Sequence, residues 1–146
     1  MNALILSAAQ AALIETEARR VFPREACGLL LGMREEGAVR VARVVPAPNM
    51  AEDADRFEID PRLLFALRRA GRQDEAIVGH YHSHPHGAAA PSARDETEAA
   101  WPGLAWLIIG MEAGGEPQLA AFLHPAGAEP PVTFLPLALR IEPAAP

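Results

Sequence analysis

Two histidines one residue apart, His82 and His84, stand at the end of an apolar stretch. Side chains on a strand alternate faces, so both imidazoles project to one side and can share an ion. Neutral imidazole already ligates zinc and needs no proton change at neutral pH. Short His pairs also occur where no metal binds, so this spacing leaves an ordinary strand end open. Asp95 follows His84 by eleven positions across Pro85, Gly87 and Pro91, a stretch long enough to fold back and present a carboxylate. Two His and one carboxylate leave a coordination position free. Catalytic zinc uses such a set with a water in fourth place, whereas structural zinc fills all four places, usually with Cys. The same set describes the facial triad of non-haem iron oxygenases. The single cysteine, Cys27, cannot build a structural cage, nor the Cys-x-x-Cys of a zinc deaminase.

Ser92-x-x-Asp95 also reads as a capping box behind Pro91, and a capped helix start is a rigid platform for a ligand. Glu25 taken alone is an acidic residue before a strand, ordinarily solvated. Cys27 shares its face on an extended segment, and a lone Cys opening an apolar strand behaves as a small hydrophobe. His80 falls on the face of His82 and His84 by period two, which makes it a candidate contact to a ligand or to substrate. His86 and His124 read as surface histidines, and Trp101, Trp106 and Phe122 as core. Arg68, Arg69 and Arg72 read as a solvated basic helix face.

These groups need elements to hold them. Leu13, Ile14, Ala18 and Val21 recur at helical spacing after the N-cap residue Ser7, which predicts a helix over 7–21 that Pro23 follows. Residues 28–33 form a continuous apolar run suited to a buried strand, 35–37 a turn, and 39–45 its hairpin partner. Residues 46–57 are rich in Pro, Asp and Ala without either period, a long exposed loop. Asp60-Pro61 opens a second helix that Gly71 stops. A strand over 76–84 leads through a Pro- and Gly-rich turn to Ser92 and a third helix ending at Pro102-Gly103. Strands over 104–111, 118–124 and 132–141 follow. The layout is α/β: one domain over 1–141, a mixed β-sheet of six or seven strands flanked by about three helices, with 142–146 a frayed tail.

Composition narrows the partners. The chain has 146 residues and a formal charge of −6, the wrong sign for a groove that tracks phosphates, so nucleic acid is not an expected partner. No uncharged apolar run nears the ~20 residues that span a bilayer, and the start lacks the charged and apolar regions of a signal peptide. A soluble protein of the reducing cytoplasm is expected. A homodimer is compatible with the sequence.

Taken together, Glu25-Ala26-Cys27-Gly28-Leu29-Leu30, His82-Ser83-His84-Pro85 and, seven residues further on, Ser92-Ala93-Arg94-Asp95 resemble the JAMM (MPN-domain) metallopeptidases. Every position of that family's pattern is filled. Asn49 and the segment Phe57-Glu58-Ile59-Asp60-Pro61 also look like its small prokaryotic single-domain members, so the likeness covers most of the chain. The resemblance implies an MPN, cytidine-deaminase-like architecture and one Zn2+ per chain on His82, His84 and Asp95, with water as fourth ligand. It implies Glu25 as general base and Ser92 as oxyanion stabiliser. The implied substrate is the C-terminal Gly-Gly tail of a ubiquitin-like or sulfur-carrier protein, for example one extended by a cysteine. Insertions that hold ubiquitin in the eukaryotic enzymes are missing, which favours the carrier. Such a tail is expected to pair with a sheet edge beneath the 46–57 loop, near Asn49. A catalytically silent MPN scaffold is the rival within the family, and such modules lack the ligands.

Overall fold

The computed structural model describes residues 1–71, 75–112 and 116–143. The elements run β1 (Ala3–Ser7), α1 (Ala8–Val21), β2 (Cys27–Glu35), β3 (Ala38–Ala47), α2 (Pro61–Arg69), β4 (Ala76–His84), α3 (Ala93–Thr97), β5 (Ala105–Gly110), β6 (Gln118–Leu123) and β7 (Leu135–Glu142). Arg72 of the expected basic face and residues 144–146 of the expected tail lie outside the described residues. Glu142 itself belongs to β7, pairs with Ser7 and is bridged to Arg40 at 2.7 Å.

The mixed sheet and three helices stand as expected, but the sheet closes on itself in the order β1-β3-β2-β4-β5-β6-β7. Closure depends on β1, which the periodicity reading leaves out. Its four-residue apolar run is too short to announce a strand, and it becomes one by pairing in parallel with both β3 and β7. Ser7 then ends β1 and caps α1 through a reciprocal box with Gln10.

Alternation along β2 divides the apolar residues between two faces. Leu30 joins the core under α1 with Leu4, Leu6, Ile14, Val39, Tyr81, Leu107 and Ile109. Leu29 and Leu31 face the other way, with Cys27 and Ile59, against Phe57, Leu63, Leu64, Leu67 and Trp101. Tyr81 goes to the first core, so its neighbours His80 and His82 go to the second face, buried on the side of α2 and the 48–59 loop. Gly28 allows this pairing: opposite Tyr81, a Cβ there would lie 2.3 Å from the tyrosine ring. The glycine of the Gly-Leu-Leu run thus lets β2 close on β4 and brings Glu25 to the histidine end.

Two further expectations are corrected. The third helix has five residues rather than reaching Trp101. Trp101 instead takes a left-handed backbone, φ 76°, which lets its ring pack near His80 at 5.6 Å between centroids. His124 is buried, not on the surface, because the segment after β6 folds back and sets Phe134 against it and Trp106.

Candidate metal centre

β4 carries His82 and His84 to its C-terminal end on one face, as period two requires. Their Nε2 atoms lie 3.1 Å apart, and Asp95 Oδ2 lies 3.2 Å from His82 Nε2 and 3.0 Å from His84 Nε2. The aspartate is held there by local sequence. Ser92 Oγ accepts from Asp95 N at 3.0 Å, and Asp95 Oδ2 accepts from Ser92 N at 2.9 Å, so the capping box holds the carboxylate beside the imidazoles. His84 Nδ1 lies 3.0 Å from Ala88 O, which leaves Nε2 as the unprotonated nitrogen in the neutral ring.

Glu25 arrives from the segment just before β2, the strand that pairs antiparallel with β4. Ser83, between the two histidines, points to the other face of β4, where its Oγ accepts from Ala26 N at 2.8 Å while its own N–H donates to Ala26 O at 3.0 Å. This bracket extends the β2–β4 pairing by one residue and fixes Glu25 beside the site. One carboxylate oxygen of Glu25 and a ring nitrogen each of His82 and His84 lie within 4.8 Å of one another.

The electrostatics separate two carboxylates that share one small space. Burial pushes Glu25 up to about 7, an effect that His84 opposes and Asp95 reinforces. Burial would raise Asp95 too, but the hydrogen bonds with His82 and His84 and from Ser92 N–H win and hold it well below the usual carboxylate range. Burial lowers His82 against the pull of Asp95, so its ring is neutral. For His84 burial is outweighed by Asp95 and Ala88 O, and its pKa is raised. Environments that push two carboxylates apart mark one as fixed anion and the other as proton carrier.

The donor set fits a zinc ion. Metal–ligand distances of about 2.0–2.1 Å in a tetrahedron require donor atoms about 3.3 Å apart, close to the observed triangle. Two imidazoles and one carboxylate suit Zn2+.

Around the site two clefts meet. One, about 380 Å³, is lined by Asp55, Arg56, Phe57, Glu98, Trp101 and Trp106. The other, about 600 Å³, is lined mainly by Pro23, Ala54, Pro85, His86, Ala88 and Pro91. Glu25, Asp55, Ser92 and Arg94 border both, so the donor triangle sits at their junction.

Asn49, His80 and Cys27 are engaged with other groups of the protein. Asn49 does not offer free polar atoms to a substrate: its Nδ2 donates to Glu25 O and Arg56 O, and its Oδ1 accepts from Ala51 N and Glu58 N. It braces the loop against Glu25. His80 is fully buried and lines neither cleft; its Nε2 lies 3.2 Å from His82 Nδ1. Cys27 is buried with its thiol toward Ala47 O and Pro48 O. The sequence reading missed Phe57, whose ring stacks on His82 at 4.4 Å, and Trp101, which lines a cleft rather than only filling core. An aromatic residue in a long polar loop was the available signal for Phe57.

The chain is similar to known proteins over most of its length. Residues 7–123 match the family described as prokaryotic homologs of the JAB domain. A probable TtuB-protein conjugate cleaving protease of Thermus thermophilus is 37% identical over 88% of this chain and 82% of its own. A desampylase of Haloferax volcanii is 42% identical over 59% of this chain and 62% of its own, and a CysO-cysteine peptidase of Mycobacterium tuberculosis 34% identical over 63% and 62%. The solution structure of a Desulfitobacterium hafniense protein superposes with a TM-score of 0.74 at 33% identity, covering 95% of this chain and 94% of that one. With the family's match spanning both β2 and the whole histidine–aspartate junction, this chain belongs to the prokaryotic homologs of the JAB domain.

Proposed function

We propose that the protein is a zinc-dependent peptidase that hydrolyses the amide bond after the C-terminal Gly-Gly tail of a ubiquitin-like or sulfur-carrier protein. The observation that carries this reading is the triangle of His82, His84 and Asp95 donor atoms, 3.0–3.2 Å on each edge, with the Glu25 carboxylate beside it. His82, His84 and Asp95 would hold the ion. A bound zinc ion supplies Lewis-acid polarisation of the scissile carbonyl and a lowered pKa for water. Glu25, poised at about 7, takes the proton of the attacking water and passes it to the leaving amine. The Ser92 hydroxyl accepts from Asp95 N, which leaves its own proton free to meet the carbonyl oxygen as charge develops there.

The substrate class follows from the cleft and from what the relatives act on. The relatives' names describe a protease of TtuB conjugates, a desampylase and a CysO-cysteine peptidase. The closed sheet leaves little edge for a tail, but the segment before α2 supplies one. Arg56 O, Glu58 N and Glu58 O turn toward Asn49 and Met50, so by strand alternation the polar groups of Phe57 face away from them. An extended tail can pair there, and two glycines fit where side chains would meet the aromatic wall of Phe57 and Trp101. The proposed ligands and the proposed base all stand at the junction of the clefts, which favours an active enzyme over a silent scaffold, and the iron oxygenase reading leaves Glu25 and Ser92 without a task.

The test is incubation with carrier proteins extended beyond Gly-Gly, either by one residue or by an isopeptide-linked protein, read by intact mass. Chelator-sensitive cleavage after the second glycine is expected. Carriers left intact by zinc-loaded protein would sink the proposal.

A further inference from the structure

Outside the donor triangle, His80 is a fully enclosed polar side chain beside it. Its ring is fully buried and lies 10° from the plane of His82; Phe57 stacks on both, and Trp106 meets His80 edge-on at 4.4 Å. A neutral imidazole carries one proton on one of two nitrogens. For His82 Nε2 to offer a lone pair toward Asp95 and His84, its proton must sit on Nδ1, and Nδ1 faces His80 Nε2 at 3.2 Å. His80 must then accept, which puts its own proton on Nδ1, an atom without a hydrogen-bond partner among the described residues.

We propose that His80 is a positioning residue whose Nε2 accepts from His82 Nδ1–H and thereby fixes the tautomer and ring plane in which His82 binds zinc. The inference rests on the zinc-peptidase reading above. Metal-bound histidines generally direct the second N–H to a carboxylate, carbonyl or water. His84, at the exposed end of β4, finds Ala88 O. His82 lies deeper, between β2 and β5, where the ladders on both sides occupy the backbone carbonyls. A side chain two residues back on the same face is the acceptor that strand geometry makes available. Without it, the favoured tautomer of His82 carries its proton on Nε2 and donates it to Asp95, in competition with the ion.

The test is zinc affinity of the whole chain, measured by competition with a chromophoric chelator, for wild type, His80→Phe and His80→Gln. Phe keeps a ring beneath Phe57 but has no acceptor; Gln offers an amide oxygen. His80→Phe is expected to bind zinc about 10–100-fold more weakly, with His80→Gln regaining most of that loss. Equal affinity in His80→Phe, or a His80→Gln as weak as His80→Phe, would overturn the role. Wild type that binds no stoichiometric zinc would instead remove the reading beneath it. Should His80→Phe fail to fold, nitrogen-15 spectra of the zinc-loaded wild-type imidazoles decide the matter: protons on Nδ1 of both rings support the role, and a proton on His80 Nε2 refutes it.

Discussion

The histidine end of β4 and the loop of residues 48–59 both border Glu25, and they are held in opposite ways. β4 is ordered by ladders to β2 and β5, and alternation sends its histidines to one face. The loop has no ladder; one side chain, Asn49, joins Glu25 O, Arg56 O, Ala51 N and Glu58 N. Metal ligands need tight mutual distances, which a strand inside a closed sheet provides. A wall that admits a polypeptide must fit a guest, and a braced loop can do so while keeping Glu25 in register.

Substitutions at the two regions should therefore fail differently. The largest effect belongs to the strand side and its platform: His82→Ala or Asp95→Ala should lose stoichiometric zinc and turnover together, measured by metal analysis and by the intact-mass assay. Zinc retained by either variant would break the assigned triangle. Next, Glu25→Gln should keep zinc yet lose on the order of 10²–10⁴ in kcat, and unimpaired turnover would remove Glu25 as base. Ser92→Ala should lower kcat by about 10²–10³ if the hydroxyl serves the oxyanion. A fall in stability of about 1 kcal/mol with kcat intact would reduce it to a helix cap.

On the loop side, Asn49→Ala should raise KM more than it lowers kcat and destabilise the fold by about 1–3 kcal/mol, since it orphans several backbone groups. An unchanged KM would separate the loop from substrate. Chelated protein should also show a pH dependence. Glu25 moves from 4.5 to about 7 on folding, so the folded state binds the extra proton between those values. Its contribution to stability is full below about 4.5 and is lost as pH rises through about 7. Melting temperatures of metal-free wild type should fall over that interval relative to Glu25→Gln, and parallel curves would count against the buried, raised carboxyl.

Much of the site was legible because its logic is local. His82 and His84 share a face by period two, and Ser92-x-x-Asp95 caps its own helix whatever the rest of the chain does. Tertiary contacts decided what local pattern could not. His124 has no sequence signal for burial; it is covered because Phe134 returns across Trp106. The third helix stops at Thr97, and Trp101 packs near His80 in the α2-side cluster, a contact invisible to helical periodicity. Asn49 is singled out by the resemblance, and only the folded loop shows that its side chain is engaged by four backbone groups.

The sequence by itself determined the donor types, their spacing along β4 and the capped platform of Asp95, since backbone geometry dictates each within a few residues. The closure of the sheet was a tertiary decision: residues 3–7 become a strand through pairing with β3 and β7, partners more than thirty and one hundred and thirty positions away. So was the arrival of Glu25, far from the histidines in sequence. It depends on Gly28 admitting Tyr81 and on Ser83 bonding Ala26 across β2 and β4, contacts that exist only once the two strands have met.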